Sequence, residues 1–138
     1  MYQQIIIVGN LGRDPEMRFI PSGTPVTNFS VATSRRYTTS AGEKVDETTW
    51  FRITVWGKQA EACNQYLSRG KKVLVEGRLN PDENGNPRIW TGQDGSARAS
   101  FEVTAETVRF LSPRNESAAA DYQVGDQGPE VDEEEIPF

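Results

Sequence analysis

Residues 48–79 read TTWFRITVWGKQAEACNQYLSRGKKVLVEGRL. The first part alternates at the period of a β-strand, whose successive side chains point to opposite faces. Phe51, Ile53 and Val55 would share one face, and Trp50, Arg52, Thr54, Trp56 and Lys58 the other. The middle changes period. Ala60, Cys63 and Leu67 fall at i, i+3 and i+7, one face of a helix, and Gly70 is placed to end it. The last part alternates again, with Val73, Val75, Gly77 and Leu79 on one side. Strand, helix and strand follow one another with almost no loop between them.

Working outward, residues 5–8 are a β-rich run closed by GNLGRDP, whose Gly, Asn and Asp-Pro signal a turn. Residues 17–20 read as a short strand ended by PSGTP. In residues 26–37, Phe29, Val31 and Thr33 fall on one face and Asn28, Ser30 and Ala32 on the other; TTSAGEK then reads as a loop. On the far side, NPDENGNP is a turn-rich excursion from which residues 88–91 lead out. Phe101, Val103 and Ala105 then alternate with Glu102, Thr104 and Glu106 before residues 108–111. Beyond SPRNES no apolar periodicity remains, and the composition is that of a disordered segment. Several strands with turn signals and one helix midway predict an all-β fold, a small antiparallel barrel. A five-stranded Greek-key barrel of the OB-fold type, with one helix between strands 3 and 4, fits better than an immunoglobulin-like sandwich, because the helix follows the third substantial strand.

The chain has 138 residues, enough for one domain with length to spare. Its net charge of −5 conceals two opposed halves. Residues 1–114 hold all 15 Lys and Arg against 12 Asp and Glu, while residues 115–138 hold 8 acids and no cation. A positive body with an acidic tail can still meet an anion, so the acidic average does not exclude nucleic acid. No run approaches the roughly 20 apolar residues of a membrane span. The start of the chain has no basic n-region or small-residue cleavage site. Cys63 is the single cysteine, which excludes an intrachain disulfide and fits a reducing compartment. The expected location is the cytoplasm.

Trp50 and Trp56 share a strand face with Arg52 and Lys58, while Phe51, Ile53 and Val55 supply a core face of their own. Turning the tryptophans inward would bury unpaired cations, which is costly, so the rings are expected to face outward. Rings alternating with cations suit single-stranded nucleic acid, whose bases stack on the rings while its phosphates meet the charges. A protein interface is the rival use of the same residue types. Tyr37 after Arg35 and Arg36, and Trp90 after Arg88, repeat the pairing of ring and cation.

These segments resemble a known family, the bacterial single-stranded DNA-binding proteins (SSB), homotetramers of OB-fold. IIIVGNLGRDPEMRFIPSGTPVTNFSVATS is similar to the family's opening strand, turn and second strand, and residues 48–79 to its third strand, helix and fourth strand. The closing DEEEIPF is similar to the family's acidic tip. The resemblance implies single-stranded DNA binding and protection, without sequence specificity, in replication, recombination and repair. It implies base stacking on Tyr37, Trp50, Trp56 and Trp90, with Tyr37 standing where well-known members have Trp. Candidate phosphate contacts are Arg13, Arg35, Arg36, Arg52, Lys58, Lys71, Lys72 and Arg88, of which Arg52 and Lys58 rest on strand geometry. It further implies a homotetramer, nucleoid association, and recruitment of partner enzymes by a C-terminal tip of Asp132, Glu133, Glu134, Glu135, Ile136, Pro137 and Phe138. There the apolar ring and terminal carboxylate would be captured and the acids would steer the encounter. The expected division is a binding domain over 1–112, a linker over 113–131 and the tip over 132–138. The NPDENGNPRIW excursion is longer and more acidic than the matching hairpin of familiar members.

No enzyme is expected. The chain has no histidine, no cysteine pair for zinc, no P-loop and no Rossmann fingerprint, and no metal or cofactor is called for. Among binding modules, an RNA-binding OB protein and a protein-interaction scaffold stay open on the residues alone.

Overall fold

In the computed structural model, which describes residues 1–113, the alternating segments form eight strands and one helix. In chain order these are β1 (Ile5–Leu11), β2 (Glu16–Phe19), β3 (Pro25–Thr38), β4 (Lys44–Trp56), α1 (Lys58–Tyr66), β5 (Lys72–Leu79), β6 (Ile89–Thr91), β7 (Ala97–Ala99) and β8 (Phe101–Phe110). Five of them close a barrel. The sheet order is β1-β5-β8-β4-β3-β2, and β1 also pairs with β3 through Asn10↔Ala32 and Leu11↔Val31. The helix lies between the third and fourth barrel strands, as expected, and the fold is the OB-type barrel. The barrel is not wholly antiparallel. β4 and β8 run parallel, with Phe51 beside Phe101 and Ile53 beside Val103, because chain crosses from one to the other through α1, β5 and the β6–β7 hairpin.

The inward rows of β3, β4 and β5 follow the alternation, whereas Phe101, expected in one row with Val103 and Ala105, is exposed at the start of β8. Ile7, Leu11, Phe29, Val31, Ile53, Val55, Val73, Val75 and Val103 pack with Ala60, Cys63 and Leu67 of the helical segment. Two polar side chains fasten α1 to this wall. The buried Thr27 hydroxyl donates to the Ala60 carbonyl at 2.7 Å. The Gln59 amide donates to the Glu106 carbonyl at 3.2 Å and accepts from the Val108 N–H at 2.7 Å. That second pair sits where the β5–β8 register shifts, Glu76 facing Thr107 and Gly77 facing Ala105, so that Glu106 is the extra residue of a bulge. Backbone groups left over by the bulge thus find a side-chain partner.

Several local expectations are corrected. Gly9 is not a turn residue: β1 continues to Leu11, and a Cβ at Gly9 would fall 2.2 Å from the Ala32 carbonyl oxygen, where β1 meets β3 to close the barrel. Gly70 does not end the helix. The chain leaves α1 at Leu67 in an extended conformation (φ −97°, ψ 152°), carrying that side chain into the core. Leu79, at the end of β5 beyond the register shift, is half exposed. The strand expected from residue 48 begins at Lys44, and residues 44–49 are mostly exposed. With no buried face they carry no apolar alternation to read.

The described chain forms two units, Met1–Thr33 with Trp50–Leu111, and Ser34–Thr49 with the last described residues. The first is the barrel. In the second, the far ends of β3 and β4 are bridged by Arg35–Glu47 at 3.3 Å and Arg36–Asp46 at 2.9 Å. Among the described residues no helix is long and apolar enough to cross a membrane. Residues 114–138 lie outside the described residues, and with them most of the expected linker and all of the tip from Asp132 to Phe138.

Candidate nucleic-acid interface

Strand alternation sends Ile53 and Val55 into the core and leaves Trp50, Arg52 and Trp56 exposed on the outer wall of β4. The two tryptophans are 52% and 45% exposed, so each keeps a ring surface in water after its inner edge is covered. Trp50 lies across Gly12 of the β1–β2 turn. A Cβ there would fall 2.5 Å from the ring, so only a bare backbone lets the indole lie flat against the turn.

The same turn brings Arg13 to Arg52. Both line a shallow open hollow whose floor includes Asn28 and Ser30 of β3, and whose rim also carries Asp14 and Glu16. Asp14 is engaged, accepting the Arg69 N–H at 2.9 Å. Asn28 donates to the Thr54 hydroxyl at 2.8 Å and accepts from Arg18 Nη1 at 2.7 Å. Arg18 is thereby held next to the β4 row between Arg52 and Trp56. Sequence reading missed Arg18. Its position in a four-residue strand offered only one alternation, too little to assign a face.

Lys58 does not belong to the strand face. Gly57, at φ +76°, breaks β4, and Lys58 is the first residue of α1. The alternation that placed it with the rings stops two residues earlier, so strand geometry gives it no support. It remains an exposed cation at a helix start. Lys71 and Lys72 enter β5 half buried, with Lys72 opposite Asn10.

Trp90 stands on β6, whose antiparallel partner is β7 alone, in a separate two-stranded sheet. Arg98, which sequence reading also missed, lies directly opposite Trp90, its guanidinium carbon 5.8 Å from the ring centroid. The pairing depends on the turn GQDGS closing in register, which no single-residue pattern announces. Arg88 is exposed and donates through Nε to the Asn80 carbonyl at 3.3 Å. One of the two acids in the preceding excursion is structural: Asp82 Oδ1 accepts the N–H groups of Asn84 and Asn86 at 2.9 and 2.8 Å.

In the second unit Arg35 lies over the Tyr37 ring, 4.6 Å from its centroid, within cation–π range. Arg35 and Arg36 already have acidic neighbours there, but those pairs are more than half exposed and therefore weak. They can exchange a carboxylate for another anion at little cost.

The outer wall on β8 and β5 is mixed in sign, with Lys72, Arg78 and Arg109 against Glu76, Glu102 and Glu106. On β8, Glu102 is the register neighbour of Arg52, and Glu106 stands at the bulge. Arg78 lies 3.7 Å from Glu106. What distinguishes the β2–β3–β4 side is the company of Trp50 and Trp56 with Arg13, Arg18 and Arg52, and the β6–β7 hairpin repeats it with Trp90 and Arg98.

Comparison with known proteins agrees with this geometry. The model of the Single-strand binding protein family matches residues 2–111. A single-stranded DNA-binding protein of Neisseria meningitidis is 41% identical over 123 residues, covering 88% of this chain and 67% of the relative. One of Wolinella succinogenes is 38% identical over 133 residues, covering 94% of this chain and 78% of the relative. The solved Plasmodium falciparum SSB complex with ssDNA shares the fold, with a TM-score of 0.66 at 23% identity, covering 81% of this chain and 96% of that one. A family match that spans every strand of the barrel, and relatives this similar along most of the chain, lead to one conclusion: the chain belongs to the single-strand binding protein family.

Proposed function

We infer that the protein binds single-stranded DNA without sequence preference, shielding it during replication, recombination and repair. The observation that carries this reading is the outer row of β4, where two half-exposed tryptophans flank Arg52 while the intervening residues fill the core. Trp50, Trp56, Trp90 and Tyr37 take bases on their ring faces. Arg13, Arg35, Arg36, Arg52 and Arg88 meet phosphates, with Lys58, Lys71 and Lys72 as further cations. Duplex DNA keeps its base faces stacked internally, so this row favours single strands. Trp50 and Trp56 are six residues apart on β4, roughly 20 Å in an extended strand, and so serve different nucleotides. The names of the Neisseria and Wolinella relatives support the same ligand.

The family resemblance supports a homotetramer, and the exposed apolar pair Ile6 and Val8 on β1 gives a copy of the chain something to cover. The tip from Asp132 to Phe138 recruits partner enzymes by its acidic run and terminal Ile-Pro-Phe. Activity is non-catalytic throughout.

The test is intrinsic tryptophan fluorescence during titration with oligo-dT, with a duplex of equal length as control. Quenching by oligo-dT alone is expected. An unchanged signal at low salt would return the rings to a protein interface. With Z phosphates neutralised, log affinity should fall against log salt with a slope of about −0.7Z.

A further inference from the structure

Resting on the single-strand reading, we propose that Arg98 is an additional DNA-binding residue, which holds Trp90 and contacts the phosphate of the nucleotide stacked on that ring. Four observations converge on it. Trp90 and Arg98 are register partners across β6 and β7, so their side chains leave the hairpin on one face. The guanidinium lies over the ring at 5.8 Å, within cation–π range. Gly92 makes room for it: a Cβ there would fall 2.4 Å from Arg98 Nε. Asp94 supplies a carboxylate 3.3 Å from Arg98 Nη2.

Asp94 is itself fixed by the Ser96 hydroxyl at 2.7 Å and the Ser96 N–H at 3.0 Å. In the free protein Asp94 stands where a phosphate would stand, and it keeps the guanidinium extended over the ring. The pair is open to water, half exposed on the arginine and more on the aspartate, so a phosphate displaces the carboxylate easily. A guanidinium can meet two phosphate oxygens while its plane remains on an aromatic face, which a lysine cannot do. One face of Trp90 is thus given to Arg98 and the other left to a base.

The experiment compares the full chain with Arg98→Ala, Arg98→Lys, Gly92→Ala and Asp94→Asn by oligo-dT titration at several salt concentrations. Loss of one phosphate contact makes the salt slope of Arg98→Ala shallower by about 0.7. Its low-salt affinity falls about fivefold, the worth of one hydrogen bond. Arg98→Lys recovers the slope but not the full affinity. Gly92→Ala keeps every charge yet weakens binding by displacing the guanidinium, and Asp94→Asn tightens it. If Arg98→Ala weakens binding with its slope unchanged, Arg98 only props the hairpin and the proposal is overturned. It is overturned too if Arg98→Ala matches the parent chain in both, with the single-strand reading left standing. Absence of tryptophan quenching in the parent chain would end both readings together.

Discussion

At the scale of the residue, Gly12 bears on the proposed stacking site although it has no side chain. Its bare backbone lets the Trp50 indole lie against the β1–β2 turn. Gly12→Ala would push the far end of that ring aside, a movement the exposed indole can make without disturbing the core. Affinity for oligo-dT is therefore expected to fall toward that of Trp50→Ala, a loss of ~1–3 kcal/mol for one stacked base, with little change in urea midpoint. Equal loss of stability and affinity would mean instead that the turn itself had been damaged. Cys63 makes a different kind of prediction. Burial in the core pushes its thiol up to about 12 from an ordinary 9.0. The folded protein should resist thiol reagents at pH 8, and labelling should follow unfolding in urea. The sign for stability follows from the same shift: the unfolded thiol ionises first. Its contribution is therefore whole below pH 9 and is lost as pH rises from there toward 12. The Asp94 carboxylate is shifted the other way, held below its usual 3.8 by the Ser96 hydroxyl first, then the Ser96 N–H and Arg98. It stays ionised opposite Arg98 at neutral pH, and its hold on the hairpin is lost only in acid.

At the scale of the element, the helix is short, has no side-chain cap and carries no basic residue in its last turn. Isolated helices of nine residues do not persist in water, so α1 owes its existence to the barrel. Ala60, Cys63 and Leu67 supply the apolar contact, and Thr27 and Gln59 supply the polar ties. Thr27→Val keeps the shape and removes the buried hydroxyl. It should cost about 1 kcal/mol, read as a lower urea midpoint at unchanged m-value. An unshifted midpoint would show that the hydroxyl contributes nothing net. The hairpin of β6 and β7 is the weaker element, with all six strand residues exposed. Two-stranded hairpins are marginal alone, which makes the Trp90–Arg98 pair and the Asp94 turn its main supports.

At the scale of the molecule, the barrel gathers its exposed tryptophans with arginines and leaves mixed charge elsewhere. Arg13, Arg18 and Arg52 lie on the β2–β3–β4 side with Trp50 and Trp56, whereas the β5–β8 wall offers no exposed tryptophan and balances Lys72, Arg78 and Arg109 against Glu76, Glu102 and Glu106. Ile6 at 60% and Val8 at 36% exposure leave an apolar row on β1. Ile6→Glu is expected to lower the mass in light scattering after gel filtration, with the barrel's strand signal kept in circular dichroism. An unchanged mass would count against β1 as the contact of the proposed homotetramer.

What the sequence determined by itself was whatever repeats along one element. The β4 alternation separated Ile53 and Val55 from Trp50, Arg52 and Trp56, and the change of period at Ala60 placed α1 between the third and fourth barrel strands. Those are local rules, because a strand repeats every two residues and a helix every 3.6. Tertiary structure decided what depends on two distant segments meeting. The parallel β4–β8 pair, Gly9 at the closure, Gly12 beneath Trp50, Arg18 tied through Asn28 to Thr54, and Arg98 over Trp90 all belong here. It also took Lys58 off the strand face, since a single positive φ at Gly57 ended the alternation that had placed it there. Periodicity records which way a side chain faces from its own strand; which neighbour it faces is set by how the barrel closes.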